Sequence, residues 1–406
     1  MFIVDPSRVR VSGPLTPFKD GFVAELERQG YTPSSASHQM QLMAHLSRWV
    51  EREELDVRDF TPAKAELFLQ ERRAAGYSNH LSSKALAPLL AQLRRIGAAP
   101  PPPAAPAPAG PVEELLGRYQ RYLILERGFR ERTARRYESA VRPFLAEMAS
   151  PEGLDLSRLS ASEVTAFLLD RCRRGSSGTA KHTVSALRSL LGFLHHEGMI
   201  ERSLLAAVPS VAIWRAAGLP KALEPAEVRG LLCSCDRGTA NGRRDFAILT
   251  VLSRLGLRAG EVAGLSFDDV DWRAGEIVVC GKGSRAERLP LPADVGEAIA
   301  AYLRDGRPAS AEGRTVFVGA QAPHRALSPT AVSQVVASAG RRAGLGTFYA
   351  HRLRHTAATE TLRAGASLPE VGQLLRHRRI ETTAIYAKVD RETLRGLALP
   401  WPGGTR

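Results

Sequence analysis

Apolar residues recur every three to four positions along most of this chain, a spacing that predicts helices. In the last half the expected helical stretches are Glu224–Cys235, Arg244–Arg254, Gly260–Leu265, Val295–Leu303, Pro329–Ala343, Leu353–Ala364 and Leu368–Leu375. Two short apolar runs, Glu276–Cys280 and Glu287–Leu291, break the pattern, with Gly281-Lys282-Gly283-Ser284 between them. Strand-length runs around a glycine-rich turn predict a β-hairpin with Lys282 at its tip. The fold class is therefore mainly α with a small antiparallel β-sheet.

The first half carries an internal repeat. LDVRDFTPAKAELFLQERRAAG at Leu55–Gly76 aligns without gaps to LDLSRLSASEVTAFLLDRCRRG at Leu154–Gly175, at an offset of 99. Upstream, Gly30-Tyr31 matches Gly128-Phe129 at an offset of 98. Thr61 and Ser160 have the character of helix N-caps. A repeat of this kind points to two copies of one small helical module. Between them lies AAPPPPAAPAPAGP, Ala98–Pro111. Proline at that density holds neither a helix nor a central strand, and as an extended spacer it reaches about 40 Å, at ~3.1 Å per residue. The expected organisation is a helical module over 1–97, a linker over 98–111, a second helical module over 112–208, a connector over 209–219 and a final domain over 220–406.

Charge narrows the choice of partner. The chain of 406 residues carries 56 lysines and arginines against 42 acids, a formal net charge of +14. Such a surplus favours a polyanion, nucleic acid above all, because each neutralised phosphate releases counterions. The second module concentrates Arg127, Arg130, Arg132, Arg135, Arg136 and Arg142 in one helical stretch, and Lys181, His182 and Arg188 in a later one. Of these, Arg132, Arg135, Arg136, Lys181 and Arg188 are the candidates for phosphate contact. Cys172, Cys233, Cys235 and Cys280 form no Cys-x-x-Cys pair and have no histidine pair nearby, so they read as buried or free thiols, not as a metal site. No metal or other cofactor is expected. No stretch reaches the ~18 apolar residues of a membrane span, so a cytoplasmic, nucleoid-associated protein is expected.

The candidate chemistry lies in the last third. Arg258 opens a predicted helix with Glu261 three residues on, and Lys282 sits on the hairpin tip. His351 and Arg354 are three apart, and His377 and Tyr386 follow. These residue types suit metal-free cleavage of a phosphodiester. Two guanidiniums stay charged at any working pH and bind non-bridging oxygens bidentately. A lysine whose pKa is lowered by nearby arginines protonates the leaving sugar oxygen. Histidine serves near neutral pH. A tyrosine nucleophile conserves the bond energy in a phosphotyrosine, so rejoining needs no ATP. Gly281-Lys282-Gly283 is not a phosphate loop, since five residues separate Gly275 from Gly281 and Gly283 stands where Ser or Thr is needed.

The ordered set resembles the catalytic domain of the tyrosine recombinase (phage integrase) family. That family's series of Arg, Lys, His-x-x-Arg, His or Trp, then Tyr falls on Arg258, Lys282, His351, Arg354, His377 and Tyr386. The words GLRAGEV, GKGSRAERLPL, HRLRHTAAT and HRRIETTAIYAKV carry the likeness, which spans roughly 220–390. The resemblance implies that Arg258 and Arg354 clamp the scissile phosphate and that Lys282 is the general acid for the 5′ oxygen. It further implies that His351 is the base or hydrogen-bond partner of the tyrosine, that His377 binds a non-bridging oxygen and that Tyr386 forms the 3′-phosphotyrosine link. Glu261 would orient the site from behind. The second module resembles the family's core-binding domain, and the first an added arm-type module.

The implied function is site-specific recombination or integration of a mobile element on double-stranded DNA. A homotetramer on paired sites, alone or with partner recombinases, would carry it out. A type IB topoisomerase and a catalytically silent DNA-binding protein are the alternatives. Three departures stand out. The module before the proline spacer is beyond the minimal family pattern, and after Tyr386 only about Arg391–Leu399 could form the C-terminal helix that many members dock onto a neighbour. Where the family commonly has Leu-Gly-His, this chain has Leu375-Arg376-His377, with Arg376 expected to face solvent or DNA. His355 is expected to be a satisfied core histidine.

Overall fold

A computed structural model describes residues 5–101, 110–150, 153–174, 177–209, 222–281, 286–377 and 380–389. Lys282 and the expected C-terminal helix over 391–399 lie outside them. The chain forms two compact units, one of residues 1–101 with 218–406 and the other of 102–217.

In the first unit the N-terminal helices are α1 (Lys19–Arg28), α2 (Pro33–Arg52), α3 (Pro62–Ala74) and α4 (Ser83–Arg95). They enclose a core that includes Phe22, Met40, Trp49, Phe68 and Leu86. The other unit holds α5 (Pro111–Arg121), α6 (Glu131–Glu147), α7 (Ala161–Arg174) and α8 (Ser177–His196) around Tyr119, Phe144, Phe167 and Leu190. A two-residue hairpin, β1 (Ala149–Ser150) with β2 (Gly153–Leu154), was not legible in the sequence.

The repeat has a structural basis. Asp56 accepts the Arg58 backbone N–H at 2.8 Å, and Asp155 accepts that of Ser157 at 3.0 Å. Each closes a short 3₁₀ turn just before the next helix. Thr61 caps α3 by accepting the Lys64 N–H, and Ser160 and Glu163 cap α7 reciprocally. Arg72 lies over Phe68 and Arg171 over Phe167, at 5.8 and 5.7 Å from the ring centres. The matched residues are thus helix punctuation and one recurring cation–π contact.

The rest of the first unit begins with α9 (Pro225–Cys233), α10 (Ala240–Leu255) and α11 (Ala259–Ala263). A three-stranded antiparallel sheet follows, β3 (Val270–Asp271), β4 (Glu276–Cys280) and β5 (Ala286–Pro290), in that order. Ile277 faces Leu289 across the hairpin, and Ile277 and Val279 alternate into the core. Then come α12 (Ala293–Asp305), α13 (Pro329–Arg342), α14 (Ala350–Arg363), α15 (Leu368–Leu374), α16 (Ile380–Thr383) and a 3₁₀ turn at Ala384–Val389. The sequence pattern locates these helices other than α16, and the hairpin; β3, only two residues long, lacks enough alternation to be seen. The core runs through Ile248, Leu252, Leu257, Ile299, Val336 and Leu353. A separate small cluster joins Ala358, Val371 and Leu375 to Tyr386. All four cysteines are free, but only Cys235 is buried.

Candidate active site

The site starts from a glycine. Gly256 ends α10 in the left-handed conformation, φ +58, and a Cβ there would stand 2.8 Å from a Leu375 methyl. Only a glycine lets the chain reverse this close to Leu375. Two residues later Arg258 caps α11, and Glu261 reaches back to it. One Glu261 oxygen accepts the Arg258 backbone N–H at 2.8 Å, and the other accepts its Nη1 at 2.6 Å. The Arg258 side chain is 40% exposed while that of Glu261 is 5% exposed. A buried carboxylate therefore holds a half-exposed guanidinium.

Arg354, on α14, is 2% exposed. Its Nη1 donates to the Gly256 carbonyl at 2.6 Å and its Nη2 to the Leu375 carbonyl. One side chain thus joins the turn before Arg258 to the turn before His377. Burial, then Arg258 and Arg376, lower its pKa to about 10. At neutral pH it remains a cation.

His355, one helical turn after His351, is the ring that meets the tyrosine: its Nδ1 lies 2.8 Å from the Tyr386 hydroxyl. His351 packs edge-on against His355, ring centres 4.4 Å apart. In this structure it is thus His355, expected as a satisfied core histidine, and not His351, that bonds the Tyr386 hydroxyl. The i, i+4 spacing of the two histidines was the available signal. Burial, then His351 and Arg354, press His355 down to about 4. Tyr386 is 2% exposed, and burial pushes its phenol up to about 12 against the pull of Arg354. Both groups are therefore neutral near pH 7, and a neutral imidazole with a free Nδ1 lone pair can accept the phenol proton.

His377 follows α15, and its ring lies nearly parallel to that of Tyr386, centres 6.5 Å apart. Its Nδ1 meets the Thr383 hydroxyl at 2.8 Å. Burial and three guanidiniums, those of Arg354, Arg258 and Arg376, hold it at about 4. Arg376 does not face solvent: its side chain is 2% exposed and its Nη2 donates to Glu261 at 2.8 Å. The buried acid at the site's base draws it inward. Arg258, Arg376, His377 and Gly281, the residue before Lys282, line one cleft of about 1210 Å³.

The structure thus brings Arg258, Glu261, His351, Arg354, His377 and Tyr386 together and adds His355 and Arg376. In the other unit, Arg132, Arg135, Arg136 and Lys181 are exposed on α6 and α8. Arg135 pairs with Glu131 at 3.0 Å, and Arg188 donates to the Val208 carbonyl at 2.8 Å. Arg142 is tied to Glu113 and Glu138, so it does not extend the free basic face. Among the described residues no group of three or more His, Cys, Asp or Glu is placed to hold a metal ion, and no helix is long and apolar enough to cross a membrane.

A guanidinium pair, imidazoles and a tyrosine on a mainly helical scaffold define a class of phosphoryl-transfer site, and comparison with known proteins names it. The family model described as "Phage integrase family" matches residues 221–393, and "Phage integrase, N-terminal SAM-like domain" matches 116–198. A putative integrase/recombinase of Sinorhizobium fredii, y4rA, is 39% identical over 394 residues, covering 96% of this chain and 95% of its own. The tyrosine recombinase XerD of Listeria monocytogenes is 30% identical over 289 residues, covering 70% of this chain and 97% of its own. A lambda integrase tetramer bound to a Holliday junction shares the fold, with a TM-score of 0.54 at 17% identity over 77% of this chain and 87% of that one. The chain belongs to the phage integrase family of tyrosine recombinases, enzymes that cleave and rejoin DNA.

Proposed function

We propose that this recombinase breaks one DNA strand by attack of Tyr386 on a phosphodiester. Arg258 and Arg354 hold the non-bridging oxygens, where preorganised positive charge meets the charge that develops in the transition state. The Tyr386 proton passes to His355, against whose ring His351 packs. His377, whose Nδ1 meets the Thr383 hydroxyl, offers an Nε2 proton to a phosphate oxygen. Lys282, which lies between β4 and β5 in the sequence, protonates the departing 5′ oxygen. The products are a 3′-phosphotyrosine ester and a free 5′ hydroxyl, and the reverse reaction onto a new 5′ hydroxyl rejoins the strand.

The observation that carries this reading is the hydrogen bond between Tyr386 and a neutral histidine beside two arginines held by buried partners. Because Tyr386 is 2% exposed, the resting site must uncover it when DNA is engaged.

The second helical module grips the DNA core site, using Arg132, Arg135, Arg136, Lys181 and Arg188, and the first serves as an arm-type module. The working assembly is a homotetramer on two paired sites, alone or with partner recombinases, acting on the ends of a mobile element in the cytoplasm; a lambda integrase tetramer bound to a Holliday junction supports this reading. The test is a nicked suicide substrate made from those ends, with no metal added, beside Tyr386→Phe. A covalent adduct from wild type alone is expected, and an adduct from Tyr386→Phe removes the tyrosine from its role. Relaxation of supercoils by single protomers would instead place the enzyme with the topoisomerases.

A further inference from the structure

Arg376 occupies a costly position. Its φ of +54 is one that a side chain ordinarily avoids. Its guanidinium is buried, and its Nε has no hydrogen-bond partner. Nη1 donates to the Leu374 carbonyl at 2.9 Å, and Nη2 donates to Glu261 at 2.8 Å. A glycine would satisfy the backbone without burying a charge, so the side chain needs a reason.

Charge supplies it. With Arg258 as its sole partner, Glu261 would form a neutral pair, and the carboxylate would cancel much of the pull of Arg258 on a phosphate. Glu261 instead serves two guanidiniums, so the group of three carries a net positive charge in a poorly screened setting. Arg376 also immediately precedes His377, whose backbone N–H is held by the Gly372 carbonyl at 2.9 Å. Its ion pair therefore ties the His377 turn to the helix that begins after Arg258.

We propose that Arg376 is a positioning residue for strand cleavage. It balances Glu261 so that Arg258 meets the scissile phosphate as an uncancelled cation, and it fixes the turn that carries His377. This rests on the reading above, in which Arg258 and His377 contact that phosphate.

The test is single-turnover cleavage of the suicide substrate by the full chain, with DNA affinity measured separately. The variants are Arg376→Met, Arg376→Lys, Glu261→Gln and the Glu261→Gln/Arg376→Met double. Arg376→Met is expected to slow cleavage roughly 10-fold or more at saturating DNA, with affinity within about 2-fold of wild type. Arg376→Lys should recover most of the rate. The double variant should cleave faster than Arg376→Met alone, because glutamine carries no charge to balance; a peg that merely holds the fold gives no such rescue. Should Arg376→Met fail to fold, Arg376→Gly, which suits the backbone, makes the same comparison with and without Glu261→Gln. Unchanged cleavage by Arg376→Met, or a double variant no faster than the single, overturns the proposal. A wild-type protein that forms no adduct overturns the underlying reading with it; a wild-type adduct beside an unaffected Arg376→Met overturns the inference alone.

Discussion

His355 and Tyr386 share a hydrogen bond of 2.8 Å, and His351 packs against the same imidazole with ring centres 4.4 Å apart. The nearer ring is placed to take the proton. His355→Ala is expected to slow single-turnover cleavage by ~10²-fold or more, the usual worth of a positioned base. His351→Ala should cost less, since that ring acts through its neighbour. Both rates are read at saturating DNA. The reverse order of effects would return the base to His351.

Acid should loosen the site. His355 and His377 lie at about 4 in the folded protein, against 6.5 for an unperturbed histidine. The folded state thus binds fewer protons than the unfolded chain between those values. Their contribution is intact above about pH 6.5 and is lost as pH falls towards 4, a loss on the order of a few kcal/mol for the two together. Melting temperatures from pH 7.5 down to 4.5 test this. A His355→Asn/His377→Asn double variant should show a shallower decline, and an equal slope in the two proteins would contradict it.

Most of the helices, the β4–β5 hairpin and the order of the site residues were legible because they rest on local signals. Apolar periodicity marked α10, α13 and α14, and Gly281-Lys282-Gly283-Ser284 marked the hairpin. Arg258, His351, Arg354, His377 and Tyr386 stood out as an ordered set. What escaped is tertiary. His351 and His355 share one face of α14, so the choice between them depends on the level along that helix at which the turn at Ala384–Val389 packs, and periodicity does not carry that information. The inward course of Arg376 depends on Glu261, 115 residues away. Arg142 looked like part of a basic face until its two acid partners were placed beside it.

Gly256 tests the close approach on which the site is built. A methyl group there meets Leu375 at 2.8 Å and Ala357 at 3.3 Å, from a backbone at φ +58. Gly256→Ala is expected to destabilise by ~1–3 kcal/mol through strain and overpacking. It should also slow cleavage, because Leu375 leads directly into Arg376 and His377. Denaturant unfolding and suicide-substrate cleavage measure the two effects. Wild-type values in both would show that the turn tolerates a side chain.

The two clamp arginines should separate when stability and catalysis are measured together. Arg258 is 40% exposed and bonds to a neighbour on its own turn, so Arg258→Ala removes little of the fold. Arg354 is 2% exposed and links the Gly256 and Leu375 carbonyls. Its loss leaves two buried acceptors unpaired, each worth ~1–3 kcal/mol. Both alanine variants are expected to lose ~10²–10³-fold in single-turnover cleavage, as for removal of one preorganised donor. Only Arg354→Ala should show a large fall in melting temperature. Arg354→Lys keeps the charge but lacks the fork that spans both carbonyls, so it should remain slow. Cleavage near wild type in Arg354→Lys would mean that charge alone suffices there, and equal melting temperatures for the two alanine variants would show that Arg354 does not bind the two turns together.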